Sequence, residues 1–177
     1  MSEPAYASGD FVAQHLELRD DTGGGAIPDD RIQPNGVDVG LNGLDRISGT
    51  AQFRGDEYDK PDRTPIPLNE ADERCPVAYY NLPRGHYAVT YDVQFEIPEG
   101  YVGRMYPRSR FMRSGLDLTS ALWDQGYEGV GEGLLKVPMG VAVQLGCTVT
   151  LGQFTLIEAT SADEGYDGIH QRERLEA

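Results

Sequence analysis

Four arginines, Arg104, Arg108, Arg110 and Arg113, fall within ten residues of a chain that is otherwise strongly acidic. Ser109 stands among them. Guanidinium groups are permanently charged, forked donors and a serine hydroxyl adds a further donor, a set suited to a polyphosphate. If the segment opens a helix, its first backbone amides favour the same anion. About a dozen residues later an apolar stretch ends in a single carboxylate, Asp124, followed by the turn-forming Gly126 and Gly129. A carboxylate placed beside a phosphate ester can orient and deprotonate an attacking water. Aspartate, with a pKa of about 4, is a weak base at neutral pH, so such chemistry depends on positioning and on desolvation when the site closes. Taken alone, an Asp before a glycine turn is an ordinary surface choice and a basic run an ordinary solvated face. Their concentration in so acidic a chain favours an anion site.

These groups need a scaffold, and the pattern predicts one made of strands. A chain of 177 residues most simply forms one domain with a real core. Residues 8–19 place Phe11, Val12, His15 and Leu16 at helical spacing, which predicts a short helix. Residues 20–30 are rich in Gly and Asp and read as a loop, and residues 32–41 alternate around Val37, Val39 and Leu41 as a strand. From Gly43 to Pro76 the chain is polar and turn-rich. Within it, residues 54–64 lack apolar periodicity and read as an exposed excursion. Strand signals then recur at 77–82, 87–91, 93–97, 102–106, 133–137, 141–145 and 148–158, punctuated by Pro-Arg-Gly, Pro-Glu-Gly and Leu-Gly-Cys. Short strands at this spacing predict an all-β sandwich or barrel, with residues 112–118 as a helical interruption. The β domain is expected over 1–160, and residues 161–177 are polar and read as a flexible tail.

Composition narrows the partners. The formal net charge is −14, with 29 acidic residues and only two lysines, Lys60 and Lys136. Such a balance suits a protein kept soluble in concentrated salt, where screening lengths shrink to a few ångströms. The alternative is an ordinary acidic cytosolic protein. In either case the field of the chain repels nucleic acid, while a small anion still fits a locally basic pocket. Cys75 and Cys147 are too few for a disulfide framework and too far apart for a zinc motif, and both are expected to be buried thiols. No apolar run reaches membrane-spanning length and no secretory pattern opens the chain, so the expectation is a cytoplasmic protein without membrane partners.

Five segments carry a family resemblance. Ile-Gln-Pro-Asn-Gly-Val-Asp-Val-Gly-Leu at 32–41 resembles the first motif of the dUTPase and dCTP-deaminase superfamily. Pro-Arg-Ser-Arg-Phe-Met-Arg at 107–113 resembles its phosphate motif. Trp-Asp-Gln-Gly-Tyr-Glu-Gly at 123–129 resembles its Asp-x-Gly-Tyr-x-Gly signature. Leu-Gly-Gln-Phe at 151–154 and Tyr-Asp-Gly-Ile-His-Gln at 166–171 resemble the two remaining motifs. Their order over about residues 32–172 is more specific than any one of them, and the archaeal dUTPase branch is the most similar. The resemblance implies a distorted β jelly roll, or β-clip barrel, with one or two short helices. It also implies a homotrimer with active sites between subunits, magnesium as cofactor, and hydrolysis of dUTP to dUMP and pyrophosphate.

Residue by residue, the resemblance implies that Asp124 activates the water that attacks the α-phosphate. Arg108, Ser109, Arg113 and Gln153 would contact the phosphates. Arg110 departs from the family, which has Ser or Gly there, and would add a phosphate contact or pair with a carboxylate of another subunit. Leu118, Thr119, Ser120 and Ala121, with Leu122, would form the hairpin that receives uracil, although Thr119-Ser120 replaces the usual archaeal Asn-Thr. Tyr127 would pack beneath the sugar and exclude a 2′-hydroxyl. Asp38 would support the metal-bound phosphates directly or through water, since magnesium needs few protein carboxylates. Tyr166, Gln171 and Arg172 would close over the nucleotide, with Arg172 standing where the family has Gly.

Two other functions compete. One is deamination of dCTP, alone or coupled to hydrolysis. A zinc deaminase is excluded, because no His-x-Glu paired with Pro-Cys-x-x-Cys occurs. The metal-free deaminases of the superfamily use a glutamate five residues after the second signature glycine, and that position is Leu134. Glu132 shares a strand face with it but is displaced by roughly 7 Å along the strand. The other is a non-catalytic nucleotide-binding trimer, for which retention of Asp124 has no purpose.

Overall fold

A computed structural model describes residues 5–20, 23–55, 57–73, 75–160 and 164–175. Helix α1 (Gly9–Ala13) is capped by the Ser8 hydroxyl, which accepts from the Phe11 amide at 3.3 Å. It leads into β1 (Leu16–Asp20) and β2 (Gly23–Gly25). A 3-10 turn at Asp29–Arg31 precedes β3 (Ile32–Gln33), β4 (Gly36–Val39) and β5 (Leu41–Ser48). Next come β6 (Gln52–Arg54), β7 (Glu57–Asp59) and β8 (Asp62–Pro65), then β9 (Tyr79–Leu82), β10 (Gly85–Tyr91), β11 (Val93–Glu96) and β12 (Tyr101–Pro107). After helix α2 (Ser109–Arg113) follow β13 (Asp117–Thr119), β14 (Glu128–Gly129), β15 (Glu132–Val137), β16 (Val143–Gly146) and β17 (Gly152–Glu158).

The strands form an all-β fold, as the pattern predicts, and it is jelly-roll-like, as the resemblance implies. The largest sheet runs β13-β15-β10-β5-β8, and two others run β12-β17-β4-β3 and β14-β11-β1-β2. Neighbours in these sheets pair antiparallel, and several strands alternate buried and wet side chains; β15, for example, buries Gly133, Leu135 and Val137 while Glu132, Leu134 and Lys136 share the other face.

Several local expectations are corrected. The helix expected over 8–19 stops at Ala13, because Leu16 pairs with Phe95 of β11 and draws the chain into a strand. The strand expected over 32–41 is broken into β3, β4 and the start of β5 by a turn at Pro34–Asn35 and an interruption at Gly40. The helix expected over 112–118 lies earlier, at Ser109–Arg113. Gly115 ends it with φ +78°, and Asp117–Thr119 is strand paired to β15. Cys75 and Cys147 are free thiols, as expected, but half-buried instead of fully enclosed. The excursion at 54–64 is exposed as expected, and most of it folds: β6 and β7 form a hairpin with Phe53 stacked on Tyr58 at 4.8 Å, and β8 adds to the edge of the largest sheet. The part of the tail expected over 161–163 lies outside the described residues.

The core centres on four aromatic rings from four different segments. Phe95 of β11 is fully buried and touches Phe154 of β17 edge-on at 4.7 Å, Trp123 in a stacked geometry at 5.2 Å, and Tyr91 of β10 at 5.8 Å. Gly103 of β12 must be glycine here, because a Cβ would fall 2.5 Å from the Phe154 ring. Replacing Phe95 by Ala would open a cavity where three segments meet. We expect Phe95→Ala to lower unfolding free energy by about 3–5 kcal/mol in a denaturant titration. A loss below about 1 kcal/mol would show that the cluster does not hold the sheets together.

Candidate active site

Asp124 is placed by the residue before it. The Trp123 indole is buried in the aromatic cluster, and its backbone exchanges two hydrogen bonds with Gly103, Trp123 N to Gly103 O at 3.1 Å and Gly103 N to Trp123 O at 2.8 Å. The chain then turns sharply. Gly126 has φ +80°, a conformation that side chains disfavour, and the Tyr127 amide closes the turn on the Asp124 carbonyl at 3.2 Å. Tyr127 is thereby driven inward and is 4% exposed, while Asp124 stays at the surface of the turn.

Asp124 opens onto a cavity whose wall on one side is Ala121, Leu122, Trp123 and Tyr127. On the other side stand Glu132 of β15 and three tail residues, Tyr166, His170 and Glu173. Tyr166 meets the Tyr127 ring edge-on at 5.7 Å. The Tyr127 hydroxyl donates to Glu173 Oε1 at 3.0 Å; burial above all, and then the Glu173 carboxylate, hold that phenol well above its ordinary pKa. Tyr127 is therefore a neutral donor at any physiological pH.

The described tail, residues 164–175, is laid along the turn and β14. Gln171 clips it in place, donating from Nε2 to Gly126 O at 2.8 Å and accepting from the Glu128 amide at 3.0 Å. The Arg172 amide donates to Glu128 O at 2.7 Å, while its side chain points largely into solvent. Of the tail residues singled out in the sequence, Tyr166 reaches the cavity and Gln171 and Arg172 fasten its rim.

The arginine segment is elsewhere in the chain. Arg108 caps α2 and its guanidinium pairs with Asp38, which is 4% exposed, and donates to Thr150 Oγ1 at 2.9 Å. Burial, and then the nearby Arg110, pull Arg108 below its ordinary pKa. Gln153 of β17 stands directly opposite Asp38 of β4. Arg110 donates to the Thr150 carbonyl at 2.9 Å, and Ser109 and Arg113 are exposed on the helix. Arg104 lies over the Tyr106 ring at 5.4 Å. None of Arg108, Ser109, Arg110, Arg113 and Gln153 lines the Asp124 cavity. Arg108 lies five residues along the chain from Gly103, where Trp123 docks, roughly 16 Å of extended strand. The carboxylate with its aromatic neighbours and the cluster of cations therefore occupy two separate regions of one chain.

The segment 118–122 is not a free hairpin. Leu118 is core, Thr119 pairs with Leu134, and only Ala121 and Leu122 reach the cavity wall. Sequence reading assigned no part in the cavity to His170 or Glu173 and considered Glu132 only as a proton carrier. Their signal was weak: a charged run after a turn, which normally reads as solvated. Among the described residues there is no group of three or more His, Cys, Asp and Glu side chains able to hold a metal ion, and no helix long and apolar enough to cross a membrane.

A family profile described as dCTP deaminase-like matches residues 7–159. The chain belongs to the dCTP deaminase-like family. A relative from Halobacterium salinarum named probable deoxyuridine 5'-triphosphate nucleotidohydrolase is 36% identical over 172 residues, covering 97% of this chain and 96% of its own. One from Methanosarcina acetivorans with the same name is 31% identical over 146 residues, covering 81% and 82%. Among solved structures, the 2'-deoxycytidine 5'-triphosphate deaminase of Agrobacterium tumefaciens superposes with a TM-score of 0.63 at 13% identity. That match covers 89% of this chain and 49% of the deaminase chain, so this family member spans about half the length of that protein and shares its fold.

Within this family member, Glu132 is a cavity carboxylate whose charge is held by its partners. Burial alone would raise its carboxyl, but the hydrogen bond from Arg63 and the charge of Arg174 outweigh it and bring the group below its ordinary value of 4.5. A carboxylate lowered on folding stabilises the fold above its unfolded pKa, and that stabilisation is lost as pH falls through the folded value. We therefore expect the difference in melting temperature between wild type and Glu132→Gln to be constant from neutral pH down to about pH 5 and to shrink only below 4.5. A difference that shrinks between pH 8 and 6 would contradict this assignment.

Proposed function

We propose that the protein is a dUTP diphosphatase, hydrolysing dUTP to dUMP and pyrophosphate. The observation that carries this reading is the cavity itself: the Asp124 carboxylate, exposed at the mouth of an aromatic pocket on a turn that buries Tyr127 three residues later. Relatives that align with 97% and 81% of this chain bear the corresponding name.

In this mechanism the base enters beside Ala121 and Leu122, and the deoxyribose rests on Tyr127, whose ring leaves no room for a 2′-hydroxyl. Asp124 orients a water toward the α-phosphorus and takes its proton as the new P–O bond forms. The bond to the bridging oxygen breaks and pyrophosphate departs. Arg108, Ser109, Arg110, Arg113 and Gln153 would neutralise that leaving group. Because they line a different part of the chain from Asp124, a complete site takes them from a neighbouring copy, which supports a homotrimer with sites between subunits. Tyr166 and the tail exclude bulk water.

A single buried carboxylate already paired with Arg108 fits a magnesium ion that arrives on the triphosphate, not one caged by the protein. Bound there, with Asp38 and its water shell nearby, it would screen phosphate charge. The net charge of −14 and the resemblance to a halobacterial relative suit a cytoplasm rich in salt.

Deamination has less support. Leu134 does not line the cavity and cannot carry a proton, and Glu132, which does, is pinned as an anion by two arginines. A shuttle must exchange its proton near working pH, and these partners oppose that. A purely binding role leaves Asp124 without a task beside an anionic ligand.

Purified protein with magnesium in molar salt is expected to convert dUTP to dUMP and pyrophosphate and to release no ammonia from dCTP. Asp124→Asn should bind dUTP with affinity within about threefold of wild type while turnover falls by at least about a thousandfold. Intact dUTP in the wild-type assay sinks the reading, and an active Asp124→Asn removes the base assignment.

A further inference from the structure

One polar cluster is not absorbed by this mechanism, and it joins two segments remote in sequence. Oε1 of Glu132 accepts both from Arg63 Nη1, on edge strand β8, and from Arg174 Nη2 at 2.5 Å, in the tail. Arg174 also donates from Nη1 to Val130 O at 3.2 Å, and Val130 N donates to Glu173 O at 3.0 Å. We propose that Glu132 is a positioning residue that seats the tail over the Asp124 cavity, and that Arg63 is its anchor. The proposal concerns the site whose function is argued above, but its main test does not depend on that function.

Three features support it. First, Asp124, Glu132 and Glu173 all line one cavity meant for an anion. Such a set repels a polyphosphate unless cations offset it, and Arg63 and Arg174 supply that offset at Glu132. Second, the tail adopts a costly backbone. Arg172 and Arg174 both have φ +58°, a left-handed conformation that non-glycine residues rarely hold without compensating contacts. The Glu132–Arg174 pair is such a contact. Third, the cluster is sheltered. The Glu132 side chain is 23% exposed and that of Arg63 30%, although every residue of β8 is itself exposed. Arg63 does not line the cavity itself but reaches a residue of its wall from the edge strand, which gives the polar excursion a task.

In this arrangement Arg63 fixes the carboxylate from the sheet side, so that its orientation is set before the tail arrives. Arg174 then meets a preoriented acceptor and brings Glu173 against Tyr127. Arg63 itself makes no hydrogen bond to the tail among the described residues, so its influence must pass through Glu132.

Hydrogen exchange read by mass spectrometry tests this on the full chain without nucleotide. In Glu132→Gln and in Arg63→Ala, exchange over residues 165–175 is expected to rise by at least about fivefold while β10 stays protected as in wild type. Arg63→Lys should restore part of the protection. Tail exchange unchanged in either Glu132→Gln or Arg63→Ala overturns the proposal. So does a parallel loosening of β10, which would make the cluster a general support of the sheet. With dUTP as substrate, Glu132→Gln should raise KM by at least about threefold with kcat within about twofold. A fall in kcat alone would make Glu132 part of the chemistry and overturn its positioning role. Absence of dUTP turnover in the wild type would defeat the functional reading and leave the exchange result standing.

Discussion

The docking of Trp123 sets everything around it. Its indole stacks on Phe95 and meets Phe154 edge-on, and its backbone bridges to Gly103, so three strands from two sheets fix the position of a residue that lies in no long strand itself. Asp124 follows directly. A surface carboxylate on a loop normally samples many positions; this one is tied by its neighbour to the most buried part of the molecule. Rigidity in the core is thereby transmitted to the mouth of the cavity through a single peptide unit.

A second constraint is the separation of charge. The chain keeps the arginines of the α2 segment apart from its aromatic cavity, with Arg108 held against Asp38 on the β12-β17-β4 sheet and Asp124 on the turn before β14. Cations placed beside Asp124 in the free chain would form an ion pair with it and weaken it as a base. The tail occupies the remaining side of the cavity, and its contacts are polar and directional, of the kind that open and close without disturbing a core.

Sequence and structure agree where the signal is local. Strands from Val77 onward were legible because β-branched and aromatic residues alternate between turn residues, and Asp124 and Tyr127 were legible because they stand in a compact signature. What was lost is non-local. Leu16 keeps helical spacing with Val12, yet pairing with Phe95, 79 positions away, makes it strand. Met112 to Leu118 carry helix-forming types, but Gly115 breaks the run and Leu118 is claimed by β15. The cluster at Glu132 was illegible for the same reason: its partners lie 69 and 42 residues away, and three charged side chains scattered along an acidic chain read as solvated until a fold gathers them.

The pairing of Arg108 with a buried aspartate has a thermodynamic side. A guanidinium already neutralised by an enclosed carboxylate is a poor host for a simple monovalent ion such as chloride, which brings one diffuse charge and cannot match a forked donor. Only a guest with several oxygens and more than one charge gains enough to displace or share that partner. In concentrated salt, where small anions crowd every cation, an internal counter-ion of this kind would act as a sieve, turning away the commonest anion more readily than a multivalent one.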